Sequence, residues 1–356
     1  MRILYIAPLF FGSTSLQRMK AFIDLGHKVT HIDSSPKWLM YKYKTLSYRI
    51  FQRLFGPPDL VKANQRILQE VKKRDFDVLW IDKGLAISPS TLNQARILSP
   101  NLMVVGYTPD DIKAKHHRTK WFLKSLPYYH IFFIPRMVSV NDLIDLGCPK
   151  VIFIDKAYDP HTHRPMQLSL EEKAKFGGPV GFIGSYEEQR AESIYYLAQH
   201  GVPVGIWGNG WDSNCKFTHP KIVIKGPSIY GDDYARAICS FDIVLGFLRK
   251  ANRDLQTSRS FEIPACGAFM LAERTEDHLR LFEEGKEAEF FEKNEELLQK
   301  VRYYLSHEAE RNQIAKAGRE RCLRSGYSYH ERGKEILNII NKVAANEKLT
   351  AQVNVK

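Results

Sequence analysis

A series of short apolar segments, each followed by a turn and a helical pattern, constrains the fold of this chain most strongly. The first half contains Arg2–Pro8, Phe76–Ile81, Leu102–Gly106 and Ile131–Ile134, and the second half contains Val180–Gly184, Val204–Trp207 and Ile243–Phe247. Strands that are apolar on both faces are typical of parallel sheets covered by helices on both sides. Their alternation with helical segments predicts α/β domains of the doubly wound, Rossmann-like type.

The chain length and one Pro-rich segment predict two domains. At 356 residues the chain is too long for one ordinary hydrophobic core. The segment Ala157–Pro165 (AYDPHTHRP) is rich in Pro, His and Asp, and a new α/β cycle begins soon after it. We therefore predict a Rossmann-like domain over 1–156, a linker over 157–178 and a second Rossmann-like domain from 179 to 328. The cleft between two such domains is the default ligand site.

Net charge and cysteine usage restrict the partners and the compartment. The formal net charge of +12 favours anionic partners, among them nucleotide diphosphates, acidic lipids and nucleic acid. The sequence has no nucleic-acid-reading motif, so nucleic acid is not an expected partner. The five cysteines are widely spaced without a CxxC pair, which argues against disulfides or zinc and fits a reducing cytoplasm. The apolar N-terminus is interpreted as a strand and not as a signal peptide.

Residues 36–75 have an unusual composition that supports two interpretations. This segment carries ten Lys or Arg against three acids, with aromatic residues interleaved among the bases: Trp38, Tyr41, Tyr43, Tyr48, Phe51 and Phe55. Such a surface could lie on an anionic membrane. The alternative is a helical excursion whose aromatic side chains are buried and whose bases are solvated.

The stretch Asp254–Glu273 (DLQTSRSFEIPACGAFMLAE) contains the main candidate site. Four polar side chains precede a helix predicted to begin near Phe261: Thr257, Ser258, Arg259 and Ser260. Hydroxyls, free backbone N–H groups and a guanidinium could converge there on an anion. Glu262 falls in the first turn of this helix, where it is either a ligand contact or an acid favoured by the helix dipole alone.

Two loops of the first half also carry polar candidates. Gly12 to Ser15 follow the first strand, and Ser15 is a plausible N-cap for the next helix. This loop lacks GxGxxG, so a dinucleotide cofactor is not expected. Asp110 and Asp111 follow the strand that ends at Gly106, and each is either a general base or the N-cap of a helix. His116 and His117 are adjacent in sequence, so their side chains point apart on a helix or a strand, and we predict no metal site there.

Two loops of the second half are candidates for binding a nucleotide. Gly184 and Ser185 precede a helix that carries Arg190, and the N-terminus of that helix is a potential phosphate site. The turn after the next strand reads Gly208-Asn209-Gly210-Trp211. Small glycines beside an aromatic suit a flat ring, although a plain turn with a core tryptophan is the alternative.

Several segments resemble one family, the GT-B glycosyltransferases, and within it the CgeB-like group of bacterial spore-coat and surface-glycan enzymes. The segments that carry the resemblance are SFEIPACGAFMLAERTEDHLRLFEEGKEAEFF (260–291), GRERCLRSGYSYHERGKEIL (318–337), VGFIGSYEEQRAESI, WGNGW, GPSIYGDDYARA and YDPHTHRP. It is strong over residues 155–340 and extends to the earlier residues at the level of element order. It implies two Rossmann-like domains facing across a cleft, with a C-terminal helix over 329–356 that crosses back to the first domain.

The resemblance also implies an activity and a set of contacts. The expected enzyme is a hexosyltransferase that moves a sugar from a nucleotide-diphosphate donor, a UDP-sugar, to a hydroxyl acceptor in a glycan, glycolipid or surface polymer. No metal or cofactor beyond this co-substrate is expected. The acceptor contacts are expected in the first domain at Phe11, Gly12, Ser13 and Tyr107. The donor contacts are expected at Gly184, Ser185, Arg190, Trp207, Gly208, Asn209, Trp211, Tyr230, Asn252, Thr257, Ser258, Arg259 and Glu262.

The catalytic expectations rest on charge. The departing nucleotide gains negative charge as the glycosidic bond breaks, and Arg259 is the main candidate to stabilise it. Asp110 or Asp111 would be the base if configuration is inverted. Asp254 lies eight positions before Glu262, where many retaining relatives carry a glutamate, and its shorter side chain leaves it outside the predicted site. The competing hypotheses are a non-catalytic GT-B scaffold and a sugar-nucleotide epimerase or hydrolase.

Overall fold

A computed structural model describes residues 1–36, 50, 57–114 and 117–353. Much of the basic, aromatic segment proposed to contact a membrane, 37–49 and 51–56, lies outside the described residues, as does one of the paired histidines, His116. The membrane interpretation therefore stays a prediction. Among the described residues, no helix combines the length and the apolar character needed to span a membrane.

The chain divides into two compact units. The first unit comprises Met1–Asp155 together with Tyr329–Lys356, and the second comprises Lys156–Ser328. The segment predicted as a linker therefore begins inside the second unit. Each unit has a six-stranded sheet in which every described strand pair is parallel. This is the doubly wound α/β architecture that the apolar segments predicted.

The sheet of the first unit has the strand order β2-β1-β3-β4-β5-β6. Its strands are β1 (Arg2–Ala7), β2 (Lys28–Asp33), β3 (Val78–Asp82), β4 (Met103–Tyr107), β5 (Ile131–Ile134) and β6 (Val151–Phe153). Before the C-terminal helix, the helices among its described residues are α1 (Thr14–Asp24), α2 (Ala63–Lys73), α3 (Pro89–Leu98), α4 (Lys120–Ser125) and α5 (Val138–Asp145).

The second unit has the strand order β12-β11-β10-β7-β8-β9. Its strands are β7 (Gly178–Ile183), β8 (Val204–Trp207), β9 (Ile222–Gly226), β10 (Phe241–Gly246), β11 (Met270–Glu273) and β12 (Glu289–Phe291). Its helices are α6 (Leu170–Phe176), α7 (Glu188–Gln199), α8 (Asp232–Ser240), α9 (Arg259–Ala265), α10 (Glu276–Leu281), α11 (Asn294–Ser306) and α12 (Glu308–Arg324).

The last helix, α13 (Tyr329–Val353), belongs to the first unit. Ile336 and Ile340 on α13 lie in the same buried cluster as Met19 and Phe22 on α1. At its start, Arg332 pairs with Asp155 at 3.3 Å. The apolar face of α13 thus completes the core of the unit that contains the N-terminus.

Two helix starts differ from the sequence prediction. Ser13, not Ser15, caps α1, because its hydroxyl accepts the Leu16 N–H at 3.2 Å while Ser15 is already helical. Helix α9 begins at Arg259, two residues before the predicted start at Phe261. Several serines and threonines near each start were equally good caps by residue type, so only the backbone conformation decided between them.

The order of the strands fixes where a ligand would bind in each unit. In the first unit the strand order runs outward in one direction from β1 and in the other from β3. These two strands therefore flank the topological switch point, the place where the strand order reverses direction. In the second unit β7 and β10 flank the corresponding point. Loops diverge at such a point and leave a crevice at the carboxyl ends of the strands. The loops after β1, β3, β7 and β10 are therefore the places to look for a site.

A buried ion pair stands at the switch point of the first unit. The guanidinium of Arg18 on α1 contacts the Asp82 carboxylate at the end of β3, and both side chains are almost fully buried, at 3% and 0% exposure. Arg18 also lies over the Tyr107 ring, with its guanidinium carbon 3.7 Å from the ring centroid. The Tyr5 hydroxyl donates to the Ser15 carbonyl at 3.0 Å. These contacts fix α1 against the ends of three strands.

Candidate functional site

Two arginines converge at the switch point of the second unit. Arg259 Nε donates to the carbonyl of Ile183, the last residue of β7. Arg190 on α7 donates from Nε to the Leu248 carbonyl at 3.2 Å and from Nη1 to the Ser185 carbonyl at 3.1 Å. Leu248 follows β10, so Arg190 joins the two loops that flank the crevice. Positive charge therefore lies at the carboxyl ends of β7 and β10, where an anionic group would be stabilised.

The loops after β7 and β8 are bonded closely together. Gly184 N–H donates to the Trp207 carbonyl at 2.8 Å, and Tyr186 N–H donates to the Asn209 carbonyl at 2.9 Å. A Cβ on Gly208 would lie 1.9 Å from the Gly184 carbonyl oxygen, so only glycine permits this approach. The Asn209 side chain accepts the Ser228 N–H at 3.1 Å and ties in the loop after β9. The loops thus form one connected rim along this edge of the sheet.

The two tryptophans of this rim are buried in the fold. Trp207 donates its indole N–H to the Phe176 carbonyl at 2.9 Å, and Trp211 donates to the Gly184 carbonyl at 2.8 Å. Trp211 also packs edge-on against Phe182 and Tyr186. These contacts are those of core tryptophans. Contact between either ring and a nucleotide base stays a prediction.

Two buried side chains lie against the Glu262 carboxylate. Oε2 accepts a hydrogen bond from the Tyr234 hydroxyl on α8. Oε1 lies 3.8 Å from Nε2 of His163, a residue of the segment that was predicted as a linker. Glu262 is 7% exposed, Tyr234 8% and His163 3%. Burial raises the pKa of Tyr234, and the Glu262 carboxylate raises it further, so this hydroxyl stays a donor at neutral pH.

A second histidine supports the start of α9. The Thr257 N–H donates to Ser260 Oγ at 3.0 Å, and Ser260 Oγ lies 2.7 Å from Nε2 of His278. Nδ1 of His278 lies 2.6 Å from the Glu273 carbonyl oxygen, which can only accept, so Nδ1 carries a proton. Nε2 of the neutral ring therefore accepts from Ser260. This relay connects the loop before α9 to the end of β11.

The loop before α9 is also bonded to Lys156, the first residue of the second unit. Lys156 N–H donates to the Gln256 side-chain oxygen at 3.2 Å, and Lys156 Nζ donates to the Gln256 carbonyl at 3.1 Å. Nζ also lies 3.6 Å from the Asp254 carboxylate. Asp254 is thus engaged by a lysine.

The predicted donor contacts differ in accessibility. Ser185, Asn209 and Tyr230 are exposed, and Ser258 and Arg259 are partly exposed. The remaining ones are buried: Gly184, Arg190, Trp207, Gly208, Trp211, Asn252, Thr257 and Glu262. Asn252 lies in a short 3-10 helix, Lys250–Asn252, that precedes α9. The structure therefore brings Arg259, Arg190, Gly184 and Ser185 to one place, and Glu262 lies one turn after Arg259 on α9.

The predicted acceptor contacts lie around the switch point of the first unit. Phe11 is 69% exposed, and Gly12 adopts a left-handed φ of 83° that glycine favours. Ser13 is committed to capping α1, and its hydroxyl also donates to the Pro8 carbonyl at 3.2 Å. Tyr107 is buried beneath Arg18 and stacks on Trp80. Phe11 and Gly12 are thus the more accessible members of this set.

The two predicted bases have different surroundings. Asp110 is partly exposed and pairs with Lys83 Nζ at 2.7 Å. Burial alone would raise the pKa of Asp110, but the charges of Lys83 and His117 outweigh it and lower the pKa. Asp111 is buried, and its Oδ1 accepts the Lys113 N–H at 2.9 Å. Asp110 is therefore the more accessible carboxylate, and it is ionised at neutral pH.

Sequence reasoning missed Tyr234, His163 and Lys83. Tyr234 and His163 are 28 and 99 residues from Glu262 in the chain, so no local spacing connects them. Lys83 follows β3 with a left-handed φ of 68°, a conformation that costs a non-glycine residue free energy and is frequent at functional sites. An Asp-Pro-His segment with neighbouring polar residues was the one visible signal for His163.

Stability should fall below pH 6.5, because burial lowers the pKa of two histidines of the second unit, His163 and His278. As the pH drops through the ordinary pKa of histidine, these two side chains bind protons more readily in the unfolded chain than in the folded one, and this favours unfolding. Each pKa unit of separation contributes about 1.4 kcal/mol. We expect a lower thermal midpoint at pH 5.5 than at 7.5. The thermal midpoint of the double variant His163→Gln/His278→Gln should fall less on acidification than that of the wild type. His200→Ala, which replaces an exposed histidine, should show the same fall as the wild type.

Most of the second unit, together with the start of α13, matches a known family model. Residues 190–338 match the model described as "Glycosyl transferase-like". No curated protein matches the sequence.

Solved structures share the whole fold. The Anabaena protein Alr3699/HepE in complex with UDP-glucose has a TM-score of 0.64 at 13% identity, covering 96% of this chain and 100% of its own. Sucrose-phosphate synthase from Thermosynechococcus elongatus has a TM-score of 0.69 at 10% identity, covering 97% of this chain and 100% of its own. A glycosyltransferase from Rickettsia africae has a TM-score of 0.63 at 14% identity, covering 96% of this chain and 98% of its own. The chain therefore has the two-domain α/β fold of the GT-B glycosyltransferases and carries a glycosyl transferase-like domain over residues 190–338.

Proposed function

We propose that this protein is a glycosyltransferase that moves a hexose from a nucleoside-diphosphate donor, a UDP-sugar, to a hydroxyl of an acceptor. The observation that carries the proposal is the position of Arg259. Its guanidinium is tied to the carbonyl that ends β7, at the switch point where doubly wound sheets bind ligands. The family match over 190–338 and the UDP-glucose complex of Alr3699/HepE support this class of donor.

The proposed chemistry is stabilisation of the leaving group. Negative charge grows on the nucleoside diphosphate as its bond to the sugar breaks, and a preorganised cation lowers the free energy of that transition state. Arg259 would contact the diphosphate, and Arg190 would hold the loops that surround it. Glu262 would accept hydrogen bonds from the ribose hydroxyls. Because two arginines supply positive charge at this point, we propose that transfer needs no metal ion, and turnover should persist in EDTA.

The first unit is proposed to hold the acceptor. A cavity of about 400 Å³ opens at the carboxyl ends of β1, β2 and β3. Pro8, Pro58, Val61 and Ile87 contribute apolar surface, whereas Ser34 and Lys83 contribute polar groups. This mixture suits a glycan attached to an apolar group, such as a glycolipid. Asp110, paired with Lys83, would be the base if configuration is inverted.

One experiment tests the activity. The purified chain is incubated with a panel of nucleotide sugars, and thermal stabilisation and nucleotide release are measured. A donor at 100 times its Kd should stabilise the protein by about 2.7 kcal/mol. Sugar on an added acceptor identifies a transferase, whereas free sugar identifies a hydrolase and a new epimeric nucleotide sugar an epimerase. No stabilisation by any donor would refute the proposal and favour a non-catalytic scaffold.

A further inference from the structure

Glu262 is approached by two buried groups from distant parts of the chain. Tyr234 comes from α8, and His163 comes from a turn that precedes α6. All three side chains are more than nine-tenths buried. A buried carboxylate that is hydrogen-bonded on one oxygen and packed against an imidazole at the other has restricted rotation. Such fixation is what a binding site needs from an acceptor of hydrogen bonds.

The protonation of His163 follows from its own partner. The Asp159 N–H donates to Nδ1 of His163 at 2.9 Å, so the proton of the neutral ring is on Nε2. Nε2 is the atom that faces Oε1 of Glu262, at 3.8 Å. Burial and the nearby Arg259 charge both lower the pKa of His163, whereas Glu262 and Asp159 raise it, and the net shift is downward. The ring is therefore neutral at pH 7 and carries its proton on the nitrogen that lies 3.8 Å from the carboxylate.

The turn that carries His163 is itself held in one conformation. The Asp159 carboxylate accepts the His161 N–H at 3.1 Å and the Thr162 hydroxyl at 2.8 Å. The Tyr234 ring packs edge-on against the imidazole, with the ring centroids 5.5 Å apart. The segment predicted as a linker thus forms a rigid turn that presents one histidine to Glu262.

We propose that His163 and Tyr234 are positioning residues that orient the Glu262 carboxylate for the two ribose hydroxyls of the donor, an inference that rests on the proposed function. The Tyr234 hydroxyl uses one lone pair of Oε2, and the protonated Nε2 of His163 lies 3.8 Å from Oε1. An ionised carboxylate has about four lone-pair sites. Acceptor capacity therefore remains on both oxygens, which matches the two adjacent hydroxyls of a ribose.

The test compares two ligands that differ only at the ribose: UDP and 2′,3′-dideoxy-UDP. Kd values are measured by calorimetry for the wild type, Tyr234→Phe, His163→Leu and His163→Gln. We expect Tyr234→Phe to weaken UDP binding roughly tenfold, as loss of a hydrogen bond to a charged group does. His163→Leu should weaken it by a smaller factor, because Nε2 of His163 lies 3.8 Å from Oε1 of Glu262. Binding of the dideoxy ligand should change less than twofold. His163→Gln keeps an N–H near the Nε2 position and should restore most of the UDP affinity.

Tyr327→Phe is the matched control. Its hydroxyl donates to the Leu281 carbonyl at 3.0 Å in the same buried cluster. It should leave both Kd values unchanged. Thermal midpoints for every variant establish that the fold is retained.

Four outcomes would overturn the inference. If Tyr234→Phe weakened the binding of UDP and of 2′,3′-dideoxy-UDP equally, the contact between Tyr234 and Glu262 would serve only the packing of the core. Unchanged UDP binding in Tyr234→Phe and His163→Leu would mean that orientation of Glu262 does not matter. A wild type that binds UDP and transfers sugar but does not discriminate between the ligands would remove the ribose role while leaving the proposed function intact. A wild type that binds no nucleotide would refute both.

Discussion

Arg259→Ala is expected to lower the kcat of sugar transfer about 10²- to 10³-fold, the loss typical of removing one preorganised donor to a developing negative charge. Arg259 is partly exposed, and its Nε contacts the carbonyl of Ile183 at the end of β7. Its remaining N–H groups are proposed to contact the diphosphate. Single-turnover release of nucleoside diphosphate, measured at saturating donor, reports this loss directly.

Two further arginine variants sharpen the result. Arg259→Lys should recover only part of the rate, because an ammonium cannot make the paired contacts of a planar guanidinium. Arg302→Ala removes an exposed arginine on α11 that donates to the His200 carbonyl at 2.9 Å, and it should keep the wild-type rate. Full kcat in Arg259→Ala, with an unchanged thermal midpoint, would contradict the proposed role.

Arg18→Leu is expected to destabilise the first unit by about 3 to 5 kcal/mol, because it leaves the Asp82 carboxylate buried without its counter-ion. For a unit of this size the thermal midpoint should fall by on the order of 10 °C. The large effect follows from burial, since the pair has no access to water that could replace the lost partner. Calorimetry, together with hydrogen exchange at β1 and β3, would locate the loss in the first unit.

Two comparisons test that explanation. The double variant Arg18→Leu/Asp82→Leu should recover a large part of the stability, because no uncompensated charge remains. Arg74→Leu breaks the exposed pair with Glu70, whose atoms lie 3.1 Å apart, and should cost at most about 1 kcal/mol. A similar loss in Arg18→Leu and Arg74→Leu would show that burial does not set the contribution of the first pair.

The strands could be predicted from the sequence because their signal is local. Each of β1, β3, β4, β5, β7, β8 and β10 is a short apolar segment bounded by turn residues, and its burial in a parallel sheet requires that composition. The order of strands and helices then implies the doubly wound architecture. Helix boundaries were less certain, as Ser13 and Ser15 show, because several neighbouring residues can cap a helix.

The loops of the candidate site could also be found from the sequence, since they follow strands of a predicted sheet. Arg259 and Glu262 were identified by their residue types at the start of a helix. Their partners could not be found in this way. Whether Trp207 faces the core or a ligand also depends on what packs against it, and the structure places its indole N–H on the Phe176 carbonyl.

The sequence by itself determined the two α/β units and the loops at the carboxyl ends of their strands, because apolar patterning and turn chemistry act over a few residues. Only the tertiary structure decided that His163 and Tyr234 meet at Glu262 and that Arg18 pairs with Asp82. These contacts join residues 28 to 99 positions apart, and folding of the whole chain brings them together. Burial then gives them their strength, since a charge removed from water depends on the partners that the fold provides.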